Sequence, residues 1–452
     1  MKKSEYFLLV MIFLCASCAK DQWNDPPGLL PGNNSPFNRI SPQIKIAVVS
    51  DIHYMDPSIA PDDPENNQYW QDYVSHDRKI FELSDPIFRK VVSELMVEKP
   101  DILLIPGDLA KEGELLCHET VKGLLEQLEN EGIQVYVVPG NNDIGNPDAK
   151  DYKTDPPSAI PGITEEDFAT IFEDFGFNEA LYRDENSLSY ICQPHEKLWI
   201  LGIDGVKRSA SGVSGAINPA TLVWIQEKMI EAREKNIEVL AMMHYGIAEH
   251  YTGQKNLEPL IKSSKDNAIA LMNAGVRLIF TGHYHANDIV YFTNEGDTLS
   301  DIQTGSLVTP PYSYRMMKLD DNFIKIDTRR VTGIDIELPG GKDFVTWSDE
   351  LITNRLNGFF TYYGAYVQKI YQIPAEDYPI TVPYIIKAYK AYFAGDETIS
   401  LEEMEKITDL GQSVPSVLPL LDSFWSDLLP GDNKIHIMLK EIHGPVGPVR
   451  HR

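Results

Sequence analysis

The sequence predicts an α/β fold built on a largely parallel sheet, with a mostly helical extension after about residue 340. From residue 44 onward, short apolar runs alternate with amphipathic stretches of helical period. Beyond the glycine pair Gly340–Gly341, long tyrosine-rich stretches of helical period replace that alternation. We therefore divide the body of the chain into a domain at 43–340 and a helical extension at 341–452.

The short apolar runs are typical of strands buried inside a sheet, and each is followed by a helix-like stretch or a turn. Strands are predicted at 44–50, 101–106, 133–138, 197–203, 237–243 and 276–281, with short alternating strands over 287–337. Helices are predicted at 84–98, 114–131, 219–235 and 265–274, and in the extension at 347–371, 383–394, 400–409 and 416–428. The tyrosines of the extension either pack a helical core or narrow the entrance to a site, and the sequence leaves both open.

The N-terminal residues 1–17 have the pattern of a targeting segment. Lys2 and Lys3 precede an apolar run that is too short to span a membrane, and small residues precede Cys18. An ordinary cleaved signal peptide fits this pattern. We favour a bacterial lipoprotein signal that leaves Cys18 lipidated, with 18–42 as a flexible tether. The protein is then expected on the periplasmic side or outer surface of a bacterial cell envelope, anchored to the membrane by lipid.

Composition narrows the partners. The 452 residues include 40 Lys and Arg against 67 Asp and Glu, a formal net charge of −27. Such a field repels nucleic-acid backbones, so nucleic-acid binding is not expected. A phosphorylated small-molecule substrate stays possible because bound cations override the global field locally. The four cysteines form neither a disulfide framework nor a zinc-binding spacing.

Polar clusters follow five of the predicted strands. In open sheets, ligands bind beyond the carboxyl ends of the strands, so these clusters are expected to converge on one rim. They are Asp51-Ile52-His53, Gly107-Asp108, Gly140-Asn141-Asn142-Asp143, His244, and Gly282-His283-Tyr284-His285. Oxygen and nitrogen donors without thiolates suit Mn, Fe, Zn or Ni. The sequence therefore predicts a shared site for divalent metal ions.

The order of these clusters resembles the motifs of the calcineurin-like metallophosphoesterases, which run D-x-H, GD, GNH followed by D or E, H, and G-H-x-H. The resemblance covers about residues 44–330 and implies a four-layer α/β/β/α sandwich that holds two divalent metal ions. It implies that one ion is bound by Asp51, His53 and His285, that the other is bound by Asn141, His244 and His283, and that Asp108 bridges both. The implied reaction is hydrolysis of a phosphoester by attack of a metal-bridging hydroxide.

One position departs from the family pattern, because Asn142 stands where the third motif normally has a histidine. An amide donates a hydrogen bond but transfers no proton at neutral pH, and loss of a general acid typically costs about 10²–10⁴ in rate. Asn142 and Asp143 are nevertheless the candidate catalytic residues. Either another side chain replaces the acid, or the leaving group needs no protonation, or the enzyme is slow or inactive. The unassigned histidines that could replace it are His76, His118, His195 and His250.

We expect retained activity, with a phosphodiester favoured over a phosphomonoester, since an acidic alcohol leaves without help. The alternative is a degenerate lipoprotein that binds metal or a phosphorylated ligand without turnover. His118, on the helix after Gly113, is expected to be solvated.

Five further residues are candidates for substrate binding. Tyr54, Tyr245 and Tyr284 each flank a predicted ligand, and either line the pocket or pack its rim. His250 follows His244 by six residues and could point into the cleft. Arg315 could bind a phosphate through two parallel hydrogen bonds, or form a surface ion pair.

Overall fold

A computed structural model describes residues 43–209, 212–320, 323–395, 397–426, 428 and 430–439. The predicted signal segment, the tether and Cys18 lie outside the described residues, so lipid anchoring stays a prediction. Within the described part of the chain, no helix is long and apolar enough to cross a membrane.

The strands follow the predicted apolar runs closely, with additional short strands in the connections. They are β1 (Ile44–Val48), β2 (Ile102–Ile105), β3 (Gln134–Val137), β4 (Lys150–Asp151), β5 (Ser158–Ala159), β6 (Tyr182–Arg183), β7 (Tyr190–His195), β8 (Leu198–Ile203), β9 (Val206–Ser209), β10 (Gly212–Gly215), β11 (Glu238–Met243), β12 (Leu278–Thr281), β13 (Ile289–Asn294), β14 (Asp297–Gln303), β15 (Ser313–Leu319), β16 (Phe323–Arg330) and β17 (Lys434–Met438).

The α-helices of the described residues fall into two groups, which alternate with the strands or follow them. They are α1 (Gln68–Ser75), α2 (Ser84–Glu98), α3 (Leu115–Asn130), α4 (Glu165–Ile171), α5 (Pro219–Glu234), α6 (Ser264–Ala274), α7 (Phe344–Tyr362), α8 (Gly364–Tyr371), α9 (Tyr378–Ala394), α10 (Leu401–Ser413) and α11 (Leu418–Phe424). Local signals fix their starts: Asn218 caps α5 ahead of Pro219, and Asp343 accepts a hydrogen bond from the Thr346 N–H at the start of α7.

Two mixed sheets form the centre of the molecule. The first has the strand order β17-β16-β15-β1-β2-β3, with β1, β2 and β3 parallel and the remaining pairs antiparallel. The second has the order β13-β14-β12-β11-β8-β7-β6, with a parallel centre from β14 to β8. Parallel strands at the centre place several carboxyl ends at a common edge of each sheet.

The alternation along β8 shows how the layers stack. Leu198 and Ile200 belong to the same buried cluster as the residues of β1 and β2, whereas Trp199 and Leu201 pack on the other face of the sheet. That outer cluster contains residues of α5 and α6, such as Ile225. Since side chains along a strand alternate between faces, one face of β8 meets the first sheet and the other meets helices. The predicted α/β sandwich with its C-terminal helical extension is confirmed.

The C-terminal helices share a hydrophobic cluster with the first sheet, to which Ile352 of α7, Ile385 of α9 and Leu421 of α11 contribute. Strand β17 was not predicted, because its five residues stand in a polar segment. Its alternation places Ile435 and Ile437 in the core and stacks His436 on Phe323 instead of leaving it in solvent. The domain boundary near residue 340 stays a prediction.

Candidate metal centre

The seven predicted ligands meet at the carboxyl ends of strands from both sheets. Asp51 and His53 follow β1, Asp108 follows β2, Asn141 follows β3, His244 follows β11, and His283 and His285 follow β12. Their donor atoms form two neighbouring sets. Metal binding by these residues stays a prediction, and the distances within each set indicate which residues would share one ion.

The first set contains Asp51, His53 and His285. The Nε2 atoms of His53 and His285 lie 3.2 Å apart, and Asp51 Oδ1 lies 3.5 Å from His285 Nε2 and 3.9 Å from His53 Nε2. Two donors bound at about 2.1 Å to one cation are separated by about 3.0–3.4 Å in octahedral or tetrahedral geometry. Two of the three distances lie within or close to this range and the third is wider, so the set can surround a single cation with one wide ligand angle.

The second set contains Asn141, His244 and His283. Asn141 Oδ1 lies 2.9 Å from His244 Nε2 and 2.8 Å from His283 Nδ1, and those two nitrogens are 3.3 Å apart. Asp108 Oδ2 joins the sets, at 3.3 Å from His244 Nε2 and 3.5 Å from His53 Nε2. One carboxylate oxygen is thus within ligand spacing of both groups.

The hydrogen bonds on the far sides of the imidazoles indicate which nitrogens are free to bind a cation. His244 Nδ1 is 2.9 Å from the Pro106 carbonyl oxygen, and His53 Nδ1 is 3.4 Å from the Lys111 carbonyl oxygen. A carbonyl oxygen only accepts, so both Nδ1 atoms carry a proton, and the Nε2 atoms are the nitrogens that face the other donors and can bind a cation once they are deprotonated. Lone pairs converging on other acceptors are unfavourable unless a cation lies between them. The donor set therefore fits metal ions.

The backbone of the site is strained at its ligands. Asp51, His53, Asp108, His283 and His285 all have positive φ, between 41° and 75°. This left-handed conformation is uncommon for residues other than glycine and is concentrated at functional sites. The sequence carries no signal for it, because aspartate and histidine have no exclusive preference for this region.

Glycines next to the ligands allow the strand ends to approach each other. A Cβ at Gly140 would lie 2.1 Å from Asp108 Oδ1, and a Cβ at Gly282 would lie 2.3 Å from Asp51 Oδ2. Any larger residue would displace a ligand carboxylate. The small residue in each of these motifs is thus explained by the proximity of its neighbouring carboxylate.

The charges of the site are coupled. Burial raises the pKa of Asp51 to about 7. Burial opposes ionisation of Asp108 as well, but His244, His53 and the hydrogen bonds from His244 and Asn142 together outweigh it and lower the pKa of Asp108. Burial likewise opposes protonation of His244, yet Asp108 raises its pKa to about 9. Burial lowers the pKa of His53 to about 3, so this imidazole is neutral at physiological pH and available as a ligand.

The structure separates the two predicted catalytic residues. Asn142 is partly exposed at the mouth of the site, where its Nδ2 donates a 2.7 Å hydrogen bond to Asp108 Oδ2. Asp143 is fully buried, and its carboxylate accepts hydrogen bonds from the N–H groups of Leu109, Ala110 and Gly140. Because its oxygens face backbone, Asp143 fixes the loops that carry Asp108 and Asn141, and the expectation that it acts on substrate is corrected.

His118 is also placed differently from the sequence expectation. It is fully buried, its Nε2 lies 3.0 Å from the Asp143 carbonyl oxygen, and its ring packs against Phe168 and Phe172. The expectation that it is solvated was wrong, because the inner face of α3 presents it to the loop after β3.

His250 and Arg315 do not line the cleft. His250 is buried between Asp288 Oδ1, at 3.0 Å, and Asp301 Oδ2 of β14, at 3.5 Å. Arg315 is buried, and its guanidinium donates to the carbonyl oxygens of Gln303 and Asp432. Both side chains bond to other groups in the protein interior, so the expectation that they could bind substrate is corrected.

The three tyrosines also differ from one another. Tyr54 is buried and donates to Asp85 at 2.5 Å, and Tyr284 is buried and donates to the Pro259 carbonyl oxygen. These two pack the rim and do not line the pocket. The Tyr245 ring lies 4.1 Å from the His283 ring and 5.5 Å from the His244 ring. The Tyr284 ring lies 4.9 Å from the His283 ring, so both tyrosines support predicted ligands through ring contacts.

Polar residues that the sequence analysis missed complete the mouth of the site. Asn146 Nδ2 is 3.4 Å from Asn142 Oδ1 and donates at 2.7 Å to Glu112, which in turn lies 3.8 Å from the Lys79 ammonium. These residues come from loops outside the five motifs. No local pattern marks them, since only the tertiary fold brings them to the rim.

Comparison with known proteins finds one matching family model and several similar solved structures. The family model described as calcineurin-like phosphoesterase matches residues 44–287. A dimetal phosphatase from Danio rerio is similar in structure, with 12% identity, a TM-score of 0.46, and coverage of 64% of this chain and 96% of that one. A purple acid phosphatase from yellow lupin (Lupinus luteus) seeds has 10% identity and a TM-score of 0.41, with coverage of 67% and 53%. No curated protein sequence matches the chain.

Proposed function

Because the chain belongs to the calcineurin-like phosphoesterase family, we propose that it is a binuclear, metal-dependent hydrolase of phosphoesters, with a phosphodiester favoured over a phosphomonoester. The observation that supports this most strongly is the pair of donor sets that share Asp108 Oδ2. The candidate metal ligands group as Asp51, His53 and His285 in one set and Asn141, His244 and His283 in the other.

Two divalent cations, when bound, would lower the pKa of water and offset charge on the phosphoryl oxygens. The chain's own residues would hold and orient them. The Asp108 carboxylate offsets the repulsion between two neighbouring cations, and Asn142 fixes that carboxylate through its backbone N–H and its Nδ2. The carbonyl oxygens of Pro106 and Lys111 fix the orientation of two imidazoles.

The preference for a diester follows from the acid–base groups near Asn142. His118 and His250 are buried on other partners, His76 stacks on Tyr362, and His195 accepts a hydrogen bond from the backbone at the end of β7. None of these imidazoles replaces a general acid at Asn142. This supports a leaving group that departs without protonation, such as the acidic alcohol of a diester.

From the N-terminal sequence pattern we also propose that this hydrolase is anchored in a bacterial envelope by a lipid on Cys18. Asn142 is also the feature that favours the alternative, a protein that binds metal and a phosphorylated ligand without turnover. The two functions differ in one measurable property, which is hydrolysis by the metal-loaded protein.

The test is metal analysis of the purified protein, combined with hydrolysis of bis(p-nitrophenyl) phosphate in Mn²⁺. We expect two metal equivalents and activity, and Asp108→Asn should abolish the activity because the shared oxygen donor is weakened. Asp266→Asn, at an exposed position on α6, is the matched control and should leave activity unchanged. A wild-type protein that binds metal and is as inert as Asp108→Asn across several esters and metals would favour the binding protein.

A further inference from the structure

The connection between α1 and α2, residues 76–83, lies directly against the candidate metal centre; we call it the α1–α2 loop. The Ile80 N–H donates to the Val308 carbonyl oxygen at 2.7 Å. Thr309 Oγ1 donates to the Arg78 carbonyl oxygen at 3.5 Å and lies 2.9 Å from His285 Nδ1. The Thr309 hydroxyl therefore links the backbone of the loop to the predicted ligand His285.

Two cations project from this loop, and their partners differ. The Arg78 guanidinium forms an ion pair with Glu258 at 2.7 Å and donates a hydrogen bond to the Tyr389 hydroxyl at 2.5 Å. The Lys79 ammonium has only distant anions among the described residues, Glu112 at 3.8 Å and Asp77 at 4.0 Å. Both distances exceed hydrogen-bond length, so the donors of Lys79 are available to another acceptor.

The position of Lys79 is fixed relative to the site by aromatic and amide contacts. Its ammonium lies 4.9 Å from the centre of the Phe81 ring, and the His53 ring lies 6.2 Å from that same ring. Through Glu112 and Asn146 it also connects to Asn142, which bonds Asp108. The side chain is 16% exposed, so it is not sealed in the core and solutes can reach it.

Lys111 provides an internal contrast. Its ammonium is fully buried among the rings of Tyr73, Phe81 and Tyr152, and it pairs with Glu114 at 3.3 Å. Lys111 thus neutralises a buried carboxylate, whereas the neighbouring Lys79 is partly exposed and has no carboxylate within hydrogen-bond distance among the described residues. A cation with available donors beside two predicted metal sites is suited to an anionic substrate group.

The C-terminal helices hold this loop in place. Arg355 of α7 donates to the Lys79 carbonyl oxygen and to Glu82, both at 2.5 Å. Gly358 of α7 packs so closely that a Cβ there would lie 1.9 Å from the Ser75 carbonyl oxygen. The extension therefore fixes the backbone that presents Lys79.

We propose that Lys79 binds a non-bridging oxygen of the substrate phosphoryl group beside the metal ions, and that Arg355 is a positioning residue for it. This inference rests on the proposed phosphoesterase function. It gives the helical extension a role in catalysis, because a residue of α7 orients a group that touches substrate. The neutral amides of Asn142 and Asn146 leave Lys79 to supply positive charge at this part of the rim.

The test uses the Mn²⁺-loaded full chain and measures inorganic phosphate binding by calorimetry, together with kcat and KM for bis(p-nitrophenyl) phosphate. Lys79→Met should weaken phosphate binding and raise KM about tenfold at unchanged metal content, and Lys79→Arg should restore most of the affinity. Lys228→Met is the matched control, because Lys228 also lies over an aromatic ring, with a carboxylate at 3.9 Å, but sits on α5. It should bind phosphate as the wild type does.

A double-mutant cycle tests the positioning role. Arg355→Lys should weaken phosphate binding in the wild-type background and have no further effect once Lys79 is Met. Equal phosphate affinity and KM in wild type and Lys79→Met would overturn the inference while leaving the phosphoesterase proposal intact. An inert wild type would overturn that proposal, and calorimetry would still decide the inference: phosphate binding lost in Lys79→Met supports it, and no binding to wild type overturns it.

Discussion

Two buried clusters of histidine and aspartate lie near the second sheet, and His53 in the first cluster has the opposite pKa shift to His250 in the second. In the candidate metal centre, His53 has a pKa lowered to about 3 by burial and, next, by the charge of Lys79. In the cluster of Asp288, His250 and Asp301, burial opposes protonation, but the two carboxylates raise the pKa of His250 to about 10. His53 is therefore neutral and can offer a nitrogen to a metal ion, whereas His250 is protonated and pairs with its two carboxylates. The difference shows that the proximity of a histidine to two aspartates does not by itself predict a metal site.

Matched substitutions in the two clusters should therefore change different properties, metal binding in one case and stability in the other. His244→Gln should reduce metal affinity and phosphoesterase activity by more than about 100-fold, with the fold retained. His250→Gln should leave metal content per folded molecule unchanged, but should lower the free energy of unfolding by about 3–5 kcal/mol, since two buried carboxylates lose their cation. Denaturant unfolding and metal analysis of both variants check this, and the comparison fails if His250→Gln also releases metal.

The pH dependence of stability should isolate the contribution of His250. A histidine whose pKa is raised on folding stabilises the protein fully below its unfolded pKa, about 6.5, and loses that contribution as pH rises through the folded pKa of about 10. The free energy of unfolding of the wild type should thus fall between pH 6.5 and 10 by more than that of His250→Gln. Parallel pH profiles for the two proteins would show that His250 is neutral in the folded state.

The smallest expected effect concerns the mouth of the metal centre. Asn142→His should increase turnover of simple alkyl phosphoesters, by about tenfold at least, more than turnover of aryl esters, because only the alkyl leaving group needs a proton. The measurement is kcat for a matched alkyl and aryl pair. Equal gains on both esters would contradict the account of Asn142 as a missing acid.

Much of the fold and the convergence of the seven candidate ligands could be predicted, because polar residues at the ends of apolar strands point to one edge of a sheet. The burial of Asp143, His118 and His250 could not, since a motif gives the position of a side chain but not the direction it faces. Lys79 was also missed. Its proximity to His53 depends on Phe81 and on the packing of α7, and these contacts join residues far apart in sequence.

The pairing of β17 with β16 has a consequence for how the molecule can be divided. Residues 434–438 complete the first sheet, although they follow the whole helical extension. A fragment that stopped near residue 340 would leave β16 with a row of unpaired amide and carbonyl groups facing water. Open edges of this kind invite intermolecular pairing, so such a fragment should aggregate during expression.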